Sequence, residues 1–449
     1  MTAAIDAYGD VVDLRAPGPA GRALIDNPAE RQAAGTVAAN TGIVPRVRLR
    51  GHTLPLWRAE HVQQHYRPGT NVLVTEAELG TARVEIVYAV HGDEFVCLTR
   101  TSGPRVSVEF EEPALGAKLR CNDSVAQRLV HIAERSDRRW LSRARPLGAA
   151  PIWARRLYQR SLLALRALTD RRTGAVAAGA RDGWAYVWPR DAGTAALAFA
   201  VSGYRPEARH IARFLLGLDL GAAARFHGDG TPVAGRGAQG DAAGWVAVTA
   251  RAAGLPSPTS SLPWRERADY QEGEPGDYLA NAIVGGAASE LPAGAIEAEF
   301  GTERGLTRQA GDPGSGLDSA AAWAVRPFAL PSLFPTARRT LLALAARGTR
   351  FGVTPGEDWE GTDPWTAPTA WVAWSLAALS DREQRQASDR KARHDRCAAL
   401  RLLNDLRRAA TPAGALPERV DARTGAPAST TPLAWSHAFA ILALRELWP

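Results

Sequence analysis

The chain has almost no lysine and very little sulfur. Of its 54 basic residues only Lys118 and Lys391 are lysines, and it holds three cysteines and a single methionine. Cys97, Cys121 and Cys397 are odd in number, far apart in sequence and form no CxxC pair, which argues against a disulfide framework or a thiolate metal site and for a reduced compartment. No apolar run reaches the length of a membrane span. The start, Met1-Thr2-Ala3-Ala4-Ile5-Asp6, lacks a basic stretch followed by an apolar core, so no secretory signal is expected and the expected location is cytoplasmic. A Walker-type phosphate loop and an HExxH zinc motif are missing as well. Ser436 and His437 are adjacent, and neighbours on a helix do not face each other, so they make no nucleophile–base pair. No cofactor or metal is expected.

What is present is arginine, alanine and tryptophan. The net charge of +7 and the pI near 9.7 invite a nucleic-acid reading. The arginines, however, are spread along the chain and interleaved with acids. The densest group, Arg135, Arg138, Arg139, Arg143 and Arg145, has Glu134 and Asp137 beside it and reads as a solvated helix face. No nucleic-acid partner and no membrane partner is expected, and the sequence fixes no oligomeric state. At 449 residues, two or three domains fit, or one large domain with an appendage.

Residues 1–68 show no sustained periodicity and read as an irregular N-terminal segment. Residues 69–145 read as a small antiparallel β-region with a linker helix. Within them, 83–90 and 95–99 flank His91-Gly92-Asp93 as a hairpin, and 106–110 adds a strand. Residues 150–449 are helical in pattern, with Ala-Leu-rich segments at 152–169, 192–202, 206–218, 241–253, 278–289, 317–325, 335–347, 367–379, 390–410 and 432–447. Gly/Pro-rich loops between them hold most of the tryptophans and acids. Helical hairpins packed on one core would crowd such loops at one end, where functional residues concentrate.

Four blocks could carry chemistry. In the first, Trp184, Tyr186, Trp188, Arg190 and Asp191 run directly into a helix. Asp191 could be a simple N-cap, but a cap does not account for three aromatics and an arginine packed before it. The second is Asp269-Tyr270-Gln271-Glu272, whose glutamate could be an acid kept protonated by apolar surroundings or a solvated loop residue. The third, from Glu357 to Trp365, contains Trp359 and Trp365 among acids without EF-hand spacing, and reads as a sugar-contacting loop or a solvated turn. In the fourth, Glu418 is followed by Trp435 and His437. Glu418 alone could be a surface partner of Arg419 or Arg423, and His437 reads as a hydrogen-bonded core residue.

Together these blocks resemble the glucoamylase-like glycoside hydrolases, a family that also includes glucodextranases and some trehalases. Trp188-Pro189-Arg190-Asp191 looks like the family's substrate-gripping loop, and Asp241 to Trp245 like its Asp-Gly-x-Gly-Trp turn. Asp269-Tyr270-Gln271-Glu272 is similar to its Asp-Tyr-Trp-Glu, with Gln271 in place of Trp. Leu317-Asp318 resembles its Leu-Asp-Ala-Ala helix start, and Leu416-Pro417-Glu418 with Ala434-Trp435-Ser436-His437 resembles the element that closes the fold. The resemblance covers about 155–449. It implies an all-α (α/α)6 barrel with a small N-terminal β-region, Glu272 as general acid, Glu418 as general base, and Trp188, Arg190, Asp191, Trp359, Trp365 and Trp435 around an α-glucoside. The implied reaction is inverting, exo-acting release of glucose from non-reducing ends. A carbohydrate-binding protein on a degenerate barrel, or a disaccharide phosphorylase with an anion site in place of the base, are the competing expectations.

Overall fold

Strands come first, and they begin earlier than the sequence suggests. The structure, a computed structural model, describes residues 1–26, 42–111, 119–180, 182–257, 263–271, 273–288, 291–386 and 388–449. Strands β1 (Thr2–Ile5), β2 (Val11–Ala16) and β3 (Arg22–Asp26) form an antiparallel meander. Next come β4 (Val44–Leu49), β5 (His52–Pro55), β6 (His61–Tyr66), β7 (Leu73–Leu79), β8 (Ala82–His91), β9 (Glu94–Ser102), β10 (Val106–Glu111) and β11 (Leu119–Cys121). They make two sheets, ordered β10-β4-β5 and β11-β9-β8-β7-β6.

The described residues among 1–68 are therefore not irregular. Their strands are short and interrupted by Pro and Gly, and some bury little, as in β6, where exposed and half-buried residues alternate. That leaves few apolar positions per strand to give a periodic signal. The expected hairpin is present, with His91 opposite Glu94 across Gly92-Asp93. The region is not purely antiparallel, since β11 runs parallel to β9 and sets Cys121 beside Cys97. These two thiols, distant in sequence, are neighbours in the sheet, and neither is in a disulfide.

The strands share one core. Val11, Leu14, Val47, Val84, Ile86 and Tyr88, from all three sheets, belong to a single buried cluster. The opposite face of the five-stranded sheet, with Val74, Val87 and Val96, is covered by Ala126, Val130 and Ala133 of helix α1 (Ser124–Leu141). Asp123 caps that helix, its carboxylate accepting from the Ala126 amide at 2.6 Å. Arg135, Arg138, Arg139, Arg143 and Arg145 are exposed, as expected of a solvated face. Glu134 and Asp137 instead turn inward, accepting from Arg67 at 2.6 Å and from the Asn71 amide at 2.7 Å.

The rest is helical: α2 (Ile152–Ala167), α3 (Pro189–Val201), α4 (Arg205–Leu216), α5 (Ala242–Ala252), α6 (Leu279–Ala287), α7 (Ala293–Phe300), α8 (Phe334–Arg347), α9 (Thr366–Arg385), α10 (Asp389–Ala409) and α11 (Ala434–Leu447). A hairpin, β12 (Thr307–Gln309) and β13 (Asp312–Leu317), leads into a 3-10 turn at Ser319–Ala324 where a longer helix is expected from sequence. Proline stands in the first turn of α3, α4 and α8, where no N–H is lost.

Two kinds of helix are distinguishable. In α4 only Ala208, Ile211, Ala212 and Leu215 are buried, the spacing of a one-faced helix. In α3, α9 and α11 runs of consecutive residues are buried on every side. The buried elements contact one another in sequence: α3 touches α5, α5 touches α6, α6 the 3-10 turn, the turn α9, α9 α11, and α11 returns to α3. Alanine and glycine permit this closeness. A Cβ on Gly244 would stand 1.9 Å from Val284 Cγ1 of α6, and the β-branched valine has little freedom to yield. Gly244→Ala is therefore expected to destabilise the protein, because overpacking of roughly 1–3 kcal/mol outweighs the gain of up to about 1 kcal/mol in helix propensity. Urea or thermal unfolding of the variant against the wild type checks this.

Candidate active site

Helices α3, α5, α9 and α11 turn their N-terminal ends toward the same place. Trp188 is the N-cap of α3, and Arg190 and Asp191 lie in its first turn, so Asp191 is not the cap. Asp241 precedes α5, Trp365 precedes α9, and Trp435 lies in the first turn of α11. A cavity of about 240 Å³ opens among these ends, lined by Trp188, Arg190, Asp191, Trp359, Trp365, Glu418 and Trp435. Every site residue expected from sequence except one is thus brought to a single cavity. Glu272 lies outside the described residues.

The floor of the cavity is an aromatic plug. Tyr270 and Trp435 line the cavity and pack edge-on or tilted against Trp371, with ring centroids 5.3 and 5.4 Å apart. Below them Trp323 and Trp245 continue the stack. Close-packed rings of this kind hold pocket side chains in single rotamers.

Arg190 is fixed by buried acids. Its Nη1 donates to Asp241 Oδ2 at 2.8 Å and to Gln239 Oε1 at 3.2 Å, and its guanidinium lies 4.8 Å from the Trp435 ring centre. Both Arg190 and Asp241 are buried, and removing one member of such a pair strands the other, at a cost of about 3–5 kcal/mol. Asp191 sits beside it. Burial pushes its carboxyl up to about 7, Arg190 opposes the rise, and Glu418 and Asp241 add to it. Below that value Asp191 can donate as well as accept a hydrogen bond, which suits a sugar hydroxyl.

Glu418 is not the surface partner of Arg419 or Arg423 that its sequence context allows. Trp184 Nε1 donates to its Oε1 at 3.4 Å, and the Ser429 hydroxyl donates to its Oε2. Burial pushes the Glu418 carboxyl above the usual range, and these two donors pull it partly back. Arg419 pairs instead with Asp363 at 3.0 Å, which also accepts from Trp359 Nε1 at 3.1 Å, tying two loops of the cavity together. His437 anchors the Glu418 loop from behind. Its Nε2 accepts from the Leu416 amide at 3.0 Å, its Nδ1 faces Ser161 Oγ at 2.9 Å, and burial lowers its pKa to about 3, so the ring is neutral. It is the hydrogen-bonded core histidine expected from sequence.

On the far side, Tyr270 donates to Asp318 Oδ1 and to the Pro355 carbonyl, each at 3.0 Å. Gln271, also lining the cavity, donates to the Tyr270 hydroxyl at 3.2 Å and to Asp318 Oδ2 at 3.4 Å. Burial pushes Asp318 up to about 7. Arg308 clamps this side, reaching Asp269 at 3.2 Å and Asp358 at 2.7 Å. Arg308, Ser429 and Arg236, which borders the cavity, escape the sequence reading because each stands apart from any aromatic or acidic block. Trp184 had a visible signal, since it belongs to the aromatic run ending at Asp191. Among the described residues no cluster of His, Cys, Asp and Glu could hold a metal ion, and no helix is long and apolar enough to cross a membrane.

Residues 153–218, which carry the Trp188–Asp191 loop, match the family profile of the glycosyl hydrolases family 15. Over that segment the chain is similar to the glycosyl hydrolases family 15. No curated protein matches it in sequence. Among solved structures, a bacterial glucoamylase complexed with acarbose shares its fold with a TM-score of 0.66 and 12% identity, over 91% of this chain and 88% of that one. A glycosidase in complex with glucose matches with a TM-score of 0.53 and 20% identity, over 66% of this chain and 97% of that one. The glucoamylase of Hormoconis resinae matches with a TM-score of 0.52 and 12% identity, over 66% and 73%. At such identities the likeness is one of fold, and the chemistry of this chain has to be argued from its cavity.

The two donors to Glu418 make a testable arrangement. Both stabilise the ionised carboxylate, so losing one raises its pKa further. If Glu418 must be ionised to act, Ser429→Ala moves the acid limb of the kcat/KM profile to higher pH and leaves the alkaline limb in place. Initial rates across the pH range on an α-glucoside read this directly.

Proposed function

We propose that the chain is an inverting, exo-acting glycoside hydrolase that releases glucose from the non-reducing ends of α-glucosides. The observation that carries this is the cavity of about 240 Å³, in which Arg190, Asp191 and Glu418 converge among tryptophans. Aromatic faces stack on the apolar faces of sugar rings, and a charged Arg–Asp pair grips vicinal hydroxyls. A pocket of that size holds a chain end rather than a length of polymer, which favours exo action. The buried elements that contact in cyclic order from α3 to α11 support an (α/α)6 barrel in which a 3-10 turn takes the place of one inner helix.

In this reading Glu272 protonates the glycosidic oxygen while Glu418 takes a proton from the water that attacks C1 on the opposite face. Inversion requires the two carboxyl groups to stand roughly 6.5–9.5 Å apart, with room for that water. Glu418 is suited to the base role because two donors hold both its oxygens, fixing the carboxylate toward the cavity while its raised pKa strengthens it as a base. Arg190 and Asp191 hold the terminal sugar, and Trp188, Trp359, Trp365 and Trp435 enclose it. Gln271 gives the cavity wall a hydrogen-bonding amide.

Incubation with maltose, isomaltose, trehalose and dextran, with and without phosphate, tests the proposal. Glucose release without phosphate is expected. Glu418→Gln and Glu272→Gln are each expected to lower kcat by about 10²–10⁴-fold, the range of general acid–base catalysis, while glucose binding measured by calorimetry stays intact. Turnover only with phosphate would mark a phosphorylase, and binding with no turnover on any substrate would mark a carbohydrate-binding protein.

A further inference from the structure

A second and much larger cavity, about 1510 Å³, lies between the N-terminal strands and the helices. Strands β1, β6 and β8 line one side, and α2 with the loops at 411–415 and 427–432 line the other. Its inner end is the back of the sugar pocket. Trp184 and Arg419 border both spaces, so the partition there is one side chain thick. Ser429 borders the cleft, and its hydroxyl is the donor to Glu418 Oε2. Both side chains that hold the Glu418 carboxylate are therefore walls of the cleft.

We propose that this cleft is the route by which the attacking water reaches Glu418, with Trp184 as the partition that admits water and excludes larger nucleophiles. The inference rests on the glycosidase reading and deepens it. Each turnover consumes one water at the base. Once a sugar fills the pocket from its mouth, that mouth is closed to solvent, and the space behind Trp184 and Ser429 is the adjoining reservoir. The inner end of the cleft is polar, with Ser429, Thr430, Thr431 and Arg419 along it. Thr430 Oγ1 is buried and has no hydrogen-bond partner among the described residues, the kind of group an ordered water satisfies. In the step itself the water oxygen bonds to C1 as the C1–O glycosidic bond breaks. The leaving oxygen takes the proton of the general acid, and Glu418 takes a proton from the water. An alcohol entering by the same route would follow the same course and leave an alkyl β-glucoside.

Product partition tests this without depending on the absolute rate. Maltose is hydrolysed in water containing methanol or glycerol, and glucose and alkyl β-glucoside are quantified. Trp184→Ala is expected to raise the share of alkyl glucoside several-fold over the wild type and to admit glycerol. Trp184→Phe, which keeps the bulk but loses the N–H, is expected to leave the partition unchanged. Ala413→Trp and Ala428→Trp, which narrow the cleft, are expected to lower kcat several-fold at unchanged KM. Unchanged partition in Trp184→Ala, or wild-type kcat in both cleft variants, would overturn the route while leaving the glycosidase reading intact. A wild-type enzyme that releases no glucose from any α-glucoside would instead sink that reading.

Discussion

The site depends on acids withdrawn from water at the mouth of the helical layer, Asp191 in the first turn of α3, Asp318 at the cap of the 3-10 turn and Glu418 in the loop before α11. At Asp191 two influences oppose each other. A helix N-terminus favours a carboxylate by about 0.3–1 kcal/mol, whereas each unit of upward pKa shift corresponds to about 1.4 kcal/mol in favour of the neutral form. Burial wins at Asp191, Asp318 and Glu418, all of which are raised. What keeps them usable is specific pairing rather than solvent: Arg190 beside Asp191, Tyr270 on Asp318, and Trp184 with Ser429 on Glu418. Carboxyls raised by burial and held by specific donors suit general acid–base chemistry.

That arrangement is possible because the helices beneath it approach closely. Gly193 and Gly244 let α3, α5 and α6 pack where a side chain would collide, and the tryptophan plug fills the space they leave. The N-terminal sheets reach the same site indirectly. Arg160 of α2 donates to the Thr70 carbonyl at 2.9 Å and lies 3.9 Å from the Tyr66 ring centre, joining the strands to the helices and setting the width of the cleft between them.

Much of this was legible in sequence where chemistry and periodicity coincide. The blocks around Trp188, Trp365 and Glu418 pointed to one pocket only when taken together through their family resemblance; alone, the Trp365 block read equally as a solvated turn and Glu418 as a surface ion pair. The helix segments of the second half agree with the structure to within a few residues at most ends, since their alanine-rich runs leave few alternatives. The short strands before Arg67 were hidden because burying one face of a short, twisted edge strand needs only two or three apolar residues. The 3-10 turn at Ser319–Ala324 was hidden by an alanine run that suits a helix equally well. Glu134 and Asp137 turn inward because Arg67 and the Asn71 amide reach them, contacts between distant segments that no local pattern encodes. Ser429 and Arg308 escaped notice for the same reason.

The central claim is that Glu418 directs a water onto the face of the sugar opposite the leaving group. Time-resolved proton NMR of maltose hydrolysis by the wild-type enzyme reads the anomer before mutarotation obscures it. The account predicts β-glucose as the first product from the cleaved non-reducing residue. First-formed α-glucose from that residue would mean a retained configuration and would contradict it.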